Sequence, residues 1–397
     1  MHFSLNASQY YFSSQYRTYL EDIKQSHHTT LDLVEQSRSH VAAFAHSNNV
    51  GRIFELSTGT IELDKVLHAF IDQASNAGGD KSQRYISASI IACSSTPEIV
   101  GAVPQDPEFL ARLRELALVW LTHVICPFFF PTARDPKQHR LAEARDSSFE
   151  SYFEARTHGR VLKAQLFLRD GYQCIVSGVD DWESPRPNPE CRGRPELETC
   201  LILPRALGEV EESLSDDTNI QSAKVTFDIL KAFTRIPEEM TAEELSRLLE
   251  GPENTFLLET ANIVPFDGFT WGFEQLENHT YHIRKFQAHS PLNGAKLNEP
   301  RTFTDHSRAF NEEHPPIPLP NPIFFAVHFS VLKVAHSCGA WFFFREIFTG
   351  LDGWPNCFPQ MLTWADIQRA VHLEEATRRL LDMKGLLMEG INAVTYH

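Results

Sequence analysis

Apolar positions recur at helical spacing along much of this chain. Between Ser57 and Ala77, residues Leu63, Val66, Leu67, Phe70 and Ile71 fall three and four apart. That spacing predicts a helix stopped by Gly78-Gly79. From Pro107 to Ile125, Leu110, Leu113, Leu116, Leu118, Val119 and Leu121 make a helix apolar over most of its circumference, hence buried or paired. Helices are also expected over Thr30 to Phe44, the polar stretch Pro136 to Leu168, Thr218 to Phe233, Ile323 to His336 and about Trp364 to Leu387. Thr241-Ala242-Glu243-Glu244 reads as a capping box that opens a short helix through Leu249. Thr270 to Phe286 alternates instead, with Trp271, Phe273, Tyr281, Ile283 and Phe286, and predicts two strands. Residues 287–314 are polar and punctuated by Gly and Pro, so they read as a loop.

One stretch does not reduce to periodicity. It opens Arg169-Asp170-Gly171-Tyr172-Gln173-Cys174-Ile175-Val176-Ser177-Gly178 and continues with Glu198-Thr199-Cys200-Leu201-Ile202-Leu203-Pro204. It closes with Pro252-Glu253-Asn254-Thr255-Phe256-Leu257-Leu258 and then Ala261 to Phe269. This order and spacing resembles the HNH-endonuclease domain of many fungal proteins. That family reads R-D-x-x-x-C-x-x-[ST]-G, then A-H-I-I-P, then N-x-x-x-L. A His follows nine residues after the Asn, and a Phe three after that. Further on, Pro315-Pro316-Ile317-Pro318-Leu319-Pro320-Asn321-Pro322, the helix expected over Ile323 to His336 and then Cys338-Gly339-Ala340 resemble the L-P-D-P, L-H, S-G-A tail that often follows that core.

The resemblance implies an α+β fold: a degenerate HNH ββα core embedded in a mostly helical chain with an aromatic-rich C-terminal region. The regions would be a helical N-terminal part (1–160), the core with a helical insert (161–290), and a C-terminal part packed on that core (291–397). Cys174 is expected on or near the first hairpin, and Asn254 at the opening of the second strand. The chemistry departs from the family. The two His positions fall on Leu201 and Ile263, and only Asn254 of the three namesake residues remains. A ββα nuclease needs one imidazole to activate water and another to help hold a divalent metal. Leucine and isoleucine do neither.

Charge points the same way. The net charge is −16 and the pI about 5.6, whereas DNA affinity rests on Lys and Arg contacts to phosphate. Arg156, Arg160, Lys163 and Arg169 are scattered rather than clustered, so no nucleic-acid partner is expected. Seven cysteines include no CxxC pair, which argues against a structural zinc site. The N-terminus lacks the basic-then-apolar plan of a secretory signal, and no run of 18 apolar residues occurs. A cytoplasmic protein without a membrane span is expected. His27-His28 and His40 read as solvated surface. Asp180-Asp181-Trp182-Glu183 and Asp216-Asp217 read as loop rather than magnesium ligands. His279 and His282, three apart on a strand, point to opposite faces.

The 29 phenylalanines then acquire a meaning beyond a large core. A fold that exchanged metal ligands for apolar side chains offers an apolar cleft, which suits a hydrophobic small molecule. The substrate-binding set expected is Leu201, Ile263, Phe266, Phe324, Phe325, Phe329 and Phe342. His328, His336 and Trp341 are the polar groups expected to reach a substrate oxygen as catalytic residues. Helix Ile323 to His336 would form one wall of the pocket and Trp341 to Phe344 another. No metal and no cofactor are expected, since GxGxxG, Walker, GxSxG and HExxH motifs are all missing.

Three readings follow. The first is a cofactor-independent cyclase or pericyclase, for example a Diels-Alderase of fungal natural-product biosynthesis. Orientation alone supplies up to roughly 7–11 kcal/mol in such reactions. The second is an inactive nuclease-like binding or interaction protein. The third is a nuclease with substitute ligands drawn from Asn254, Asn262, Asp267 or His279.

Overall fold

The computed structural model describes residues 10–47 (except 12), 52–56, 59–94, 107–129, 149–185, 195–208, 217–288 and 292–350 (except 298). The expected helix Trp364 to Leu387, the aromatic residues Trp354 and Phe358, Cys191 and residues 130–148 lie outside them.

The chain opens with helices α1 (Ser14–Gln25) and α2 (Thr30–His46) and a hairpin of β1 (Ile53–Leu56) and β2 (Gly59–Glu62). Helices α3 (Leu63–Gly78), α4 (Asp80–Ile91) and α5 (Pro107–Trp120) follow, and α5 runs on through one π turn and one 3-10 turn to Phe129. Helix α6 (Phe149–Arg169) leads to strand β3 (Leu197–Leu201). Then come α7 (Asp217–Phe233), α8 (Ala242–Leu249), strand β4 (Thr255–Glu259) and helix α9 (Thr260–Asp267). A three-stranded meander of β5 (Trp271–Glu277), β6 (Thr280–Lys285) and β7 (Arg301–Thr302) precedes α10 (Ser307–Phe310), α11 (Pro322–Cys338) and α12 (Ala340–Gly350). The fold is α+β, mostly helical with three small sheets.

Most expected elements stand where their pattern puts them, and the exceptions have local causes. Residues 59–62 pair with β1 instead of extending α3 backwards, since only Ile61 of that segment is buried. The loop expected over 287–314 contains β7 and α10. The 341–344 aromatic run sits on α12, turned from α11 by Gly339 in the left-handed conformation. Helix α4 buries serines among Tyr85, Ile86, Ala88, Ile90 and Ile91: Ser82 Oγ donates to the Phe233 carbonyl at 2.6 Å and Ser89 Oγ to the Tyr85 carbonyl at 2.8 Å. A side chain bonded to backbone can be buried without being apolar.

One hydrophobic cluster connects Tyr16 near the start with Phe344 near the end, so all three sequence regions contribute to a common core. Helix α11 packs against both α3 and β5 and is apolar nearly all round. Among the described residues no single helix is long and apolar enough to cross a membrane.

A polar knot ties the middle of the chain to its end. Arg169 is fully buried, yet each of its five N–H groups is bonded. Nε and one Nη2 proton grip the two carboxylate oxygens of Asp170, at 2.6 and 3.0 Å. The remaining protons reach the carbonyls of Pro252 (2.7 Å), Pro318 (3.1 Å) and Thr255 (2.8 Å). Asp170 also accepts the Leu257 N–H at 3.0 Å. The Arg-Asp dipeptide thereby fixes the start of β4 and the proline-rich approach to α11.

Candidate functional site

Strands β3 and β4 are antiparallel, in register from Leu197 opposite Glu259 to Leu201 opposite Thr255. Strand β4 passes directly into α9, and the segment between the strands carries α7 and α8. Cys174 sits in the turn-rich loop ahead of β3, where its Sγ accepts the Glu259 N–H at 3.4 Å. No regular strand forms there; a single bridge joins Gln173 to Asp180. Asp180 and Asp181 are buried structural groups: Asp181 accepts the N–H groups of Glu183 and Leu197, and Asp180 accepts from the Gln173 amide.

Asn254 stands one residue before β4 and is fully buried. Its Oδ1 accepts the Leu203 N–H at 2.9 Å, and its amide donates to the carbonyls of Leu203 (2.9 Å) and Leu249 (3.1 Å). Asn262 is committed in the same way to the backbone of Asn293. His279 occupies the β5–β6 turn at φ 58°. Of the four proposed substitute ligands, only Asp267 borders the cavity described next. Among the described residues no group of three or more His, Cys, Asp or Glu converges to hold a metal ion.

A cavity of about 20 Å³ opens beside the end of β3. Leu201 lines it from the end of β3, Ile202 and Pro204 from the segment that follows, Phe266 and Asp267 from α9, and Phe128, Phe269 and His328 from elsewhere. Leu201 and Asp267 are half-buried, so its mouth lies beside them; the other lining rings are buried. One water needs about 10–15 Å³ on this measure, and drug-sized ligands occupy roughly 300–1,000 Å³ of cleft. The space takes one or two heavy atoms, not a folded polyene.

His328 forms the inner wall. It is 2% exposed and lies flat on Phe266, with centroids 4.4 Å apart and planes 3° from parallel; Phe269 tilts against it at 4.7 Å. Strand β5 passes close because position 272 is Gly. A Cβ there would come within 3.3 Å of Phe329 and 3.6 Å of His328 Nδ1. That Nδ1 is buried with no hydrogen-bond partner. Burial alone pushes the imidazole pKa down to about 3, so the ring is neutral.

The roof is the turn after α9. Phe269 has φ 56°, a left-handed conformation that costs a non-glycine residue about 1–3 kcal/mol. Its carbonyl accepts a proton from His336 Nε2 at 2.7 Å, and the neighbouring Gly268 carbonyl accepts from Trp341 Nε1 at 2.8 Å. A carbonyl only accepts, so the His336 proton sits on Nε2. Burial holds the His336 pKa below the usual range, and that hydrogen bond pulls the other way.

The expected site residues therefore separate. Leu201, Phe266 and His328 meet at the cavity. Ile263 is buried on α9 but does not line it. His336 and Trp341 spend their donors on the backbone of the roof, which corrects their expected role as substrate contacts. Phe324 is fully buried away from the cavity, and Phe325 packs among Phe256, Phe273, Tyr281 and Phe303. Phe329 is half-buried against Phe286, and Phe342 is 57% exposed, so neither forms a pocket wall. Phe128, Ile202, Pro204 and Phe269 complete the lining unanticipated. Phe128 belongs to an aromatic triplet some seventy residues before β3, and no local pattern connects the two.

No protein-family model, no curated protein and no solved structure matches this chain.

Proposed function

We propose that this chain is an HNH-like protein that has exchanged metal-dependent phosphodiester cleavage for binding at a small apolar cavity, and that it acts without nuclease chemistry. The observation that carries the reading is at the end of β3. Leu201 stands where the resemblance requires an imidazole, and it borders a cavity closed by Phe266, Phe269 and a neutral His328. Asn254, the surviving motif residue, is consumed by three backbone hydrogen bonds. The net charge of −16 opposes a polyanionic substrate.

Plasmid nicking in magnesium or manganese tests this reading, with Asp267→Asn alongside because Asp267 is the carboxylate at the cavity. No nicking above background is expected from either protein. Metal-dependent nicking by the parent that Asp267→Asn removes would end it.

The cyclase reading is favoured by one feature, the buried unpartnered imidazole of His328. It demands a cavity many times larger than about 20 Å³, so a substrate-bound structure must show Phe269 or Phe128 displaced. A bound substrate lying elsewhere would remove it.

A further inference from the structure

Some buried polar side chains in this molecule are matched to partners, while others, such as Trp120 Nε1 and Tyr281 Oη, have none. Arg169, Asn254, Asn262 and Asp181 each end on named backbone groups. His328 is also unmatched and, unlike Trp120 and Tyr281, it lines the cavity. No described residue hydrogen bonds to its ring, and Nδ1 is sealed from solvent. Native proteins rarely bury a polar atom unpaired, and where they do an absent water, ion or ligand is a standing explanation. The ring borders the void as well as the packed rings of Phe266 and Phe269. Trp271 Nε1, on a ring 4.9 Å from Phe266, is another buried donor without a partner, but Trp271 does not line the cavity.

The geometry points to a ligand site in which His328 takes the oxygen of a neutral, largely apolar molecule, a carbonyl or hydroxyl group seated beneath Phe269. This rests on the binding reading above and names the class of ligand. The size of the void admits the tip of such a molecule, while its body leaves through the mouth beside Leu201 and Asp267. The chemistry follows from the lining. A neutral imidazole has one donor and one acceptor, so it serves a carbonyl through N–H or a hydroxyl through either nitrogen. An anion is disfavoured twice: the ring resists protonation, and the Asp267 carboxylate stands at the mouth. The flanking rings of Phe128, Phe266 and Phe269 suit an apolar or aromatic body.

Phe269 is the movable part. Its backbone is in a left-handed conformation that glycine adopts without strain, so Phe269→Gly removes the roof ring and relieves the turn at once. His336 and Trp341 still hold the backbone carbonyls in that variant.

Phenol and toluene, nearly equal in shape and differing by one hydroxyl, are the probes. Their binding is followed by calorimetry and by nitrogen-15 spectra of the histidine side chains. In Phe269→Gly, phenol is expected to bind at least tenfold more tightly than toluene and to shift the His328 ring resonances. Adding His328→Leu should abolish that preference while retaining apolar binding. The intact protein should show the same phenol-induced shift at higher concentration. Equal affinities for the two probes, or an unmoved His328 signal in both Phe269→Gly and the intact protein, would overturn the assignment. If Phe269→Gly fails to fold, the intact protein with and without His328→Leu decides by the same criteria. A negative result with nicking still absent removes the ligand class and leaves the non-nuclease reading standing; nicking that depends on Asp267 removes that reading itself.

Discussion

Arg169 and His328 are both buried, and they represent opposite designs. Around Arg169, five donors meet five acceptors and the paired carboxylate accepts a further backbone N–H. Around His328, aromatic faces and a void replace hydrogen-bond partners. The first arrangement is what burying a charge requires, since an unpaired buried ion is strongly destabilising. The second carries an unpaired polar atom that costs on the order of 1–3 kcal/mol. Folding alone gains nothing from it: a leucine there would avoid the penalty. One end of this core is therefore arranged for stability, and the other keeps a feature that stability does not explain.

Breaking the first design should have the largest effect. Arg169→Ala leaves Asp170 buried without its cation and frees the Pro252, Thr255 and Pro318 carbonyls. A loss of about 3–5 kcal/mol in denaturant-melt stability is expected. A loss below about 1 kcal/mol would show that the knot is a spectator of folding.

The second design is sharpened by pH. His328 has a pKa near 3 when folded against 6.5 for the ordinary imidazole. Between those values the unfolded chain takes up a proton that the folded protein refuses. Its contribution is thus complete above pH 6.5 and is lost as pH falls toward 3, on the order of 4 kcal/mol across the window. His40 and His336 are shifted downwards too and act with the same sign. His328→Leu should be at least as stable as the parent at pH 7 and should lose less stability on acidification to pH 4. Parallel stability-pH curves for the two proteins would contradict a buried neutral imidazole.

The smallest effect belongs to the roof that joins the two ends. Trp341→Phe removes one donor from the Gly268 carbonyl and keeps the ring contacts. About 1 kcal/mol is expected, measured by urea melts, together with faster amide exchange at Gly268 and Phe269. Unchanged exchange there would mean that the turn is held by its own backbone bonds.

How much of the site could be read in advance varies residue by residue. Leu201 and Phe266 were legible because the motif order assigns them places near the end of one strand and on the following helix. His328 was legible because it shares a face with Phe324 on an apolar helix, where it is a polar group able to reach a substrate oxygen. His336 and Trp341 share that neighbourhood, yet their donors end on Phe269 and Gly268. A sequence shows that a donor exists and not which of many nearby carbonyls will receive it. Phe325 and Phe329 are four residues apart on α11, but Phe325 packs on the rings of Phe273 and Tyr281 while Phe329 lies against Phe286 and the backbone of Gly272. Helical spacing defines faces, not what stands opposite them.

By itself the sequence determined the helices α2, α3, α5, α7, α8 and α11 and the alternating strands β5 and β6. These depend on period, capping residues and side-chain chemistry, all of which are local. The tertiary structure decided that Phe128 reaches the same cavity as Pro204, that Gly272 lets β5 pass against Phe329, and that the cavity stops at about 20 Å³. Cavity size is a difference between the volume that the backbone encloses and the volume that its side chains fill. Both depend on contacts between residues far apart in the chain, so no window of sequence contains the answer.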